Sequence, residues 1–135
     1  MNLLLDTHVF LWWDRADKAL NAEARALIAD PVNQVLISAA SIWEIAIKRR
    51  LKKLDFRGSA VAAIGANGFH ELPILPIDAE TAGALAWQHS DPFDRMLVAQ
   101  ARRLGLTLAT ADTAIRDVGT VAQMWAGCDL GSAEE

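Results

Sequence analysis

The chain has 135 residues, 53% of them hydrophobic and 22% charged, and a net charge of −4. That composition excludes a disordered chain and a protein that holds nucleic acid by bulk positive charge. No run approaches the roughly 18 uninterrupted apolar residues of a membrane span, the apolar N-terminus has no leading basic stretch, and the single Cys128 can form no internal disulfide, so a cytoplasmic protein is expected, with no membrane partner.

Short apolar runs alternate with helical patterns, the signature of a mainly parallel sheet covered by helices on both faces. Strands are expected at about 2 to 5, 35 to 38, 74 to 77, 106 to 109 and 120 to 125, and helices near 8 to 14, 20 to 29, 39 to 52, 58 to 67, 79 to 88, 92 to 104 and 112 to 117. Asp30-Pro31 stops the second helix, Asp91-Pro92 supplies a capping acid before a proline at the first helical position, and Gly105 ends that helix after Arg102 and Arg103. The length suits one domain over 1–130, followed by a short polar tail at 131–135.

Four carboxylates fall where a strand or loop hands over to a helix. Asp6 follows Leu3-Leu4-Leu5, Glu44 is the one acid between Val35 and Ile47, Asp94 opens the helix after Asp91-Pro92, and Asp112 is the one acid between Leu104 and Ile115. In parallel sheets the ligand site lies beyond the carboxyl ends of the strands, so all four can share one rim. Two unit charges about 4 Å apart repel by roughly 4 kcal/mol at an effective dielectric near 20. Four clustered carboxylates therefore need a cation, and their oxygens suit Mg²⁺ or Mn²⁺. The implied chemistry is hydrolysis of a phosphate ester. One divalent ion offsets two charges of four, which leaves a second ion, a nearby cation or a retained proton to cover the rest.

Each acid also has an ordinary reading. Ser41 to Glu44 has capping-box spacing, and Glu44 with Lys48 forms an i,i+4 pair. Asp91 can cap its helix or pair with Arg95, Asp94 can complement the helix dipole, and Asp112 can cap the helix that follows it. Asp6 has no evident local partner. Lys48, Arg49, Arg50, Lys52, Lys53 and Arg57 make the one basic block, either a solvated helix end or a phosphate-contacting rim. Trp43, Ile47 and Leu51 form a stripe read first as core, as does the apolar run Val9 to Trp13.

Taken together, L-L-L-D-T-H at the N-terminus, S-x-W-E at Ser41 to Glu44, H-x-D-P-F-D-R at His89 to Arg95 and T-A-D at Thr110 to Asp112 resemble the PIN-domain family, and more narrowly the VapC-type toxins of bacterial toxin-antitoxin modules. The resemblance spans about residues 2 to 126, and D-P-F-D-R followed by M-L-V-A-Q-A is its most specific part. It implies a three-layer α/β/α sandwich around a mainly parallel sheet of four to five strands. It also implies an Mg²⁺- or Mn²⁺-dependent endoribonuclease with Asp6, Glu44, Asp94 and Asp112 as metal-binding catalytic acids, acting on tRNA, rRNA or mRNA.

The resemblance further implies a homodimer inhibited by a cognate antitoxin that occupies a hydrophobic groove. It favours Lys48, Arg49, Arg50 and Lys52 as RNA-binding residues, and it places the hydroxyls of Thr7 and Thr110 behind the metal-binding acids. His8 stands where related sequences more often carry Asn, His89 is expected to hydrogen-bond between loop and helix, and Asp117 is the reserve acid, facing solvent. Two rival functions are a PIN-fold metal- and RNA-binding module without cleavage, and a phosphatase with Asp6 as nucleophile. The second lacks the acid it needs two residues on, where His8 stands.

Overall fold

The computed structural model describes residues 1–128; the boundary expected at 130 and the tail at 131–135 lie outside them. In chain order the elements are β1 (Asn2–Leu5), α1 (Thr7–Asp14), α2 (Ala22–Ala29), β2 (Gln34–Ser38), α3 (Ala39–Arg50), α4 (Ala60–Ala66), β3 (His70–Leu72), α5 (Pro76–Ala84), α6 (Pro92–Leu104), β4 (Thr107–Thr110), α7 (Thr113–Arg116) and β5 (Gln123–Trp125). The five strands form one sheet in the order β3-β2-β1-β4-β5, and every pairing is parallel.

Strand side chains alternate between faces, so the sheet divides the core in two. Leu3, Leu5, Val35, Ile37 and Ala109 pack with Val9, Phe10, Ala24, Ile28, Ile45 and Ile64 from α1 to α4. Leu4 and Leu108 point the other way, onto Leu97, Val98 and Ala101 of α6 and Ile115 of α7. The result is a three-layer α/β/α sandwich. With both faces covered, β1 needs no polar alternation, which is why it reads as an unbroken apolar run. Among the described residues no helix is long and apolar enough to cross a membrane.

Local chemistry sets the helix ends. Asp91 Oδ1 accepts from the N–H groups of Phe93 and Asp94 (2.8 and 3.1 Å) with Pro92 in the first turn, and Gly105 closes α6 in the left-handed region at φ +63°. Asp78, buried in α5, takes two hydrogen bonds from Arg103 of α6 (2.6 and 3.0 Å) and locks the two helices together.

Three expectations are corrected. The apolar stretch 74 to 77 is not a strand: Pro76 opens α5, where Asp78 accepts from the Leu75 N–H (2.9 Å), and the strand is His70–Leu72. That strand pairs on one side only and exposes His70 and Glu71, so it lacks an apolar signature. Ser38, not Ser41, caps α3. The Trp43 stripe is not core, since Trp43 is 61% and Leu51 51% exposed.

Candidate active site

From β1 the chain builds outward through β2 to β3 and then returns to the other side of β1 for β4, so the order reverses between β1 and β4. At such a switch point the strand ends splay and leave a crevice. Asp6 stands directly after β1, and its N–H donates to Ala109 O (2.9 Å), continuing the ladder by one residue. Asp6 Oδ1 accepts from the Val9 N–H (2.8 Å), capping α1, and Oδ2 accepts from Thr110 Oγ1 (2.6 Å). The expectation that Asp6 lacks a local partner is therefore corrected: it caps the helix it precedes. Thr110 Oγ1 in turn accepts from the Asp112 N–H (3.0 Å), and Asp112 Oδ1 caps α7 through Ala114 N–H (2.8 Å). One hydroxyl thus ties Asp6 to Asp112 across two strands.

Asp94 reaches the same rim from the first turn of α6. Its Oδ2 lies 2.7 Å from His89 Nε2, a loop-to-helix hydrogen bond of the expected kind. The loop that carries His89 is held by Arg95, which does not pair with Asp91. Its five N–H donors reach five carbonyls: Nε to Ala82, Nη1 to Trp87 and His89, Nη2 to Gly83 and Leu85, at 2.6 to 3.3 Å. A guanidinium has five donors in a rigid fork, so Arg95 is saturated, and its charge also complements the carbonyl end of α5.

Glu44 is buried on α3. Its Oε1 accepts from Thr7 Oγ1 (2.6 Å), which lies 3.0 Å from Ser41 Oγ, and its Oε2 accepts from Lys48 Nζ (2.8 Å). Thr7 adjoins Asp6 in sequence, so the α3 acid is tied to the end of β1 by one side chain.

Burial raises the Asp6 carboxyl above its ordinary value, against the opposing pull of Thr110, Val9 N–H and the nearby His8. Asp94 is pushed up to about 7, first by burial and then by the charges of Asp91, Asp112 and Asp6, while the His89 hydrogen bond works the other way. The surplus negative charge is thus met in two ways: Lys48 compensates Glu44, and Asp94 retains a proton near neutral pH. Ligand atoms of His89, Asp94 and Asp112 all lie within 4.8 Å of one another, close enough for one ion. Asp6 and Glu44 fall outside that group of three. Mutually repelling carboxylate oxygens are the donor set a hard divalent cation takes, so the residues present fit one. His89 is the member that sequence reasoning left out, although the H-x-D-P-F-D-R string held the signal.

The PIN domain family model matches residues 3–121, most of the chain. The chain belongs to the PIN domain family. Among solved structures, this PIN domain is similar to VapBC2 from Rickettsia felis bound to a promoter DNA fragment, with a TM-score of 0.68 at 12% identity over 93% of this chain and 99% of that one. It is also similar to VapBC-1 from nontypeable Haemophilus influenzae (TM-score 0.60, 15% identity, 92% and 97% covered). A third likeness is to FitAcB from Neisseria gonorrhoeae (TM-score 0.56, 20% identity, 91% and 96% covered). At these identities the likeness is one of fold. No curated protein matches the chain by sequence.

Around the acids of this PIN domain the remaining candidates separate. Lys48 belongs to the Glu44 pair, and Arg49 Nη1 donates to Phe56 O and Gly58 O, bracing the loop after α3. Arg50, Lys52, Lys53 and Arg57 are exposed. His8 is exposed beside Trp12. Asp117 is exposed as expected and lies outside the group of ligand atoms.

Proposed function

We propose that this PIN domain is a metal-dependent endoribonuclease toxin, held in check by a cognate antitoxin. PIN domains are generally nucleases, which supports hydrolysis of nucleic acid. The observation that carries the reading is the convergence of Asp94, Asp112 and His89 at coordination distance, with Asp6 near enough to raise Asp94 further. Asp6, Asp94 and Asp112, with Glu44 on the Lys48 side, would hold Mg²⁺ or Mn²⁺. Such an ion supplies an activated water and offsets charge on the scissile phosphate.

The chain's own residues prepare that chemistry. Thr110 fixes the spacing of Asp6 and Asp112, and Thr7 fixes Glu44. His89 Nε2, 2.7 Å from Asp94 Oδ2, holds that carboxyl group at the rim where a cation would sit. Among the described residues, Arg50 and Lys52 are the exposed members of the expected RNA-binding set without an ion-pair or carbonyl partner.

Exposed Trp43 and Val61 border an apolar groove of about 370 Å³ between α3 and α4. It supports docking of an antitoxin segment and self-association as a homodimer. The likeness of fold to VapBC2, VapBC-1 and FitAcB supports an antitoxin partner here. The test is cleavage of RNA by the purified full chain. Activity should vanish in EDTA and return with Mn²⁺ or Mg²⁺, and chelator-insensitive cleavage would overturn the metal assignment.

A further inference from the structure

A second cleft, of about 740 Å³, opens beside the acids between the loop that carries His89 and the short helix α7 that Asp112 caps. His89 belongs to both: its Nε2 touches Asp94, and the residue also lines the cleft. Whatever lies over the acids therefore has this cleft as its immediate neighbour. We propose that the cleft is a nucleobase-binding subsite, taking the base of a nucleotide adjacent to the scissile phosphate; this rests on the RNA reading of the acidic rim.

The lining fits a base better than it fits a phosphate. Trp87 and His89 both line it, with ring centroids 4.8 Å apart and planes tilted by 44°, so an unstacked base has an aromatic neighbour on this wall. Gln88 brings an amide with both donors and an acceptor, and Thr120 a hydroxyl, for the polar edge of a heterocycle. Arg102 and Asp117 stand at the same cleft with opposite charges. An anion would gain one and be repelled by the other, whereas a neutral ring with donor and acceptor edges is compatible with both. The wall is also pre-organised: Arg95 holds the carbonyls of Trp87 and His89 with one nitrogen (2.6 and 3.0 Å), so ordering this backbone is not left to the ligand.

The experiment uses the full chain without added metal and the four nucleoside 5′-monophosphates, with ribose 5-phosphate and inorganic phosphate as controls. The Trp87 indole resonance, assigned by its loss in Trp87→Phe, is followed by NMR. At least one nucleotide should shift it saturably and neither control should. Gln88→Ala should weaken that nucleotide by roughly twofold to tenfold, the range of one neutral hydrogen bond. Trp87→Ala should weaken it by about fivefold to a hundredfold through lost stacking. Trp87 also packs against the α6 core, so the exposed Gln88 carries the test if Trp87→Ala unfolds. An indole that no nucleotide moves, or that ribose 5-phosphate moves as much, overturns the subsite. If RNA is cleaved while the indole stays silent, the subsite falls and the nuclease reading stands. If nucleotides bind as described but no RNA is cut with Mn²⁺, the nuclease reading falls and a nucleotide site remains.

Discussion

The strand-end half of the acidic rim, Asp6 with Thr110 and Asp112, is fixed by the sheet, whereas in the loop half the segment that carries His89 to Asp94 is gathered by a single guanidinium. In the first half, Asp6 extends the β1–β4 ladder through its own N–H, and each acid also caps the helix behind it. In the second, Arg95 gathers three carbonyls of a loop that makes no ladder, Leu85, Trp87 and His89, and ties them to two at the end of α5. A backbone held by many cooperative bonds resists any one deletion, and a backbone held by one side chain does not. The two halves should therefore fail differently: the first by chemistry with the fold intact, the second by loosening.

The largest expected effect is that of Asp6→Asn, which should abolish RNA cleavage while urea unfolding shows a folded protein. Full activity in that variant would remove Asp6 from the mechanism. Next, Arg95→Gln should cost roughly 2 to 3 kcal/mol in the same unfolding measurement, the scale of lost charged hydrogen bonds. Amide exchange should speed up across the His89 loop and stay slow in β4. Arg95→Lys should not rescue it, because an ammonium has three donors and no fork. A uniform loss of protection in both regions would erase the contrast between the halves.

Thr110→Ala should weaken Mn²⁺ binding by about tenfold to a hundredfold, as support behind metal ligands usually does, and Thr110→Ser should restore it. Titration sharpens the contrast from the loop side. Asp94 is raised from 3.8 to about 7, so the folded chain holds a proton that the unfolded chain has already released. That stabilisation is complete below about pH 4 and is lost as the pH rises to about 7. Metal-free protein should accordingly become less heat-stable across this window, Asp94→Asn should remove much of the decline, and Mn²⁺ affinity should rise through it. The smallest effect belongs to the basic block. Arg50→Ala and Lys52→Ala should each flatten the salt dependence of RNA binding by about 0.7 in the log–log slope if each meets one phosphate. Lys48→Ala should instead act on Glu44.

Much of the strand-end half was legible because it is local. A lone acid closing an apolar run must sit at a strand end, and the parallel alternation of runs and helices puts such ends on one edge. The Asp91-Pro92 start and Gly105 stop of α6 were legible for the same reason, since caps involve neighbours in sequence. The edge strand β3 was not: His70-Glu71-Leu72 pairs on one side and carries no apolar alternation, while the apolar 74–77 stretch was claimed by Pro76 for a helix. Trp43 shows the limit from the other direction. Its spacing with Ile47 and Leu51 marks a face of α3, but whether that face meets the core or solvent depends on where the sheet lies.

Local pattern alone was enough for the positions of β1, β2 and β4, for the start and stop of α6 and for the acids at those strand ends, because these rest on backbone periodicity and on bonds spanning a few residues. It took the packing of the whole chain to make Thr110 bridge Asp6 and Asp112, to give Lys48 to Glu44 while Arg49 braces a loop, and to let Arg95 bring His89 to Asp94. Each of these joins groups whose pairing is set by how strands and helices stack, and chain order does not encode which donors and acceptors that stacking brings within 3 Å.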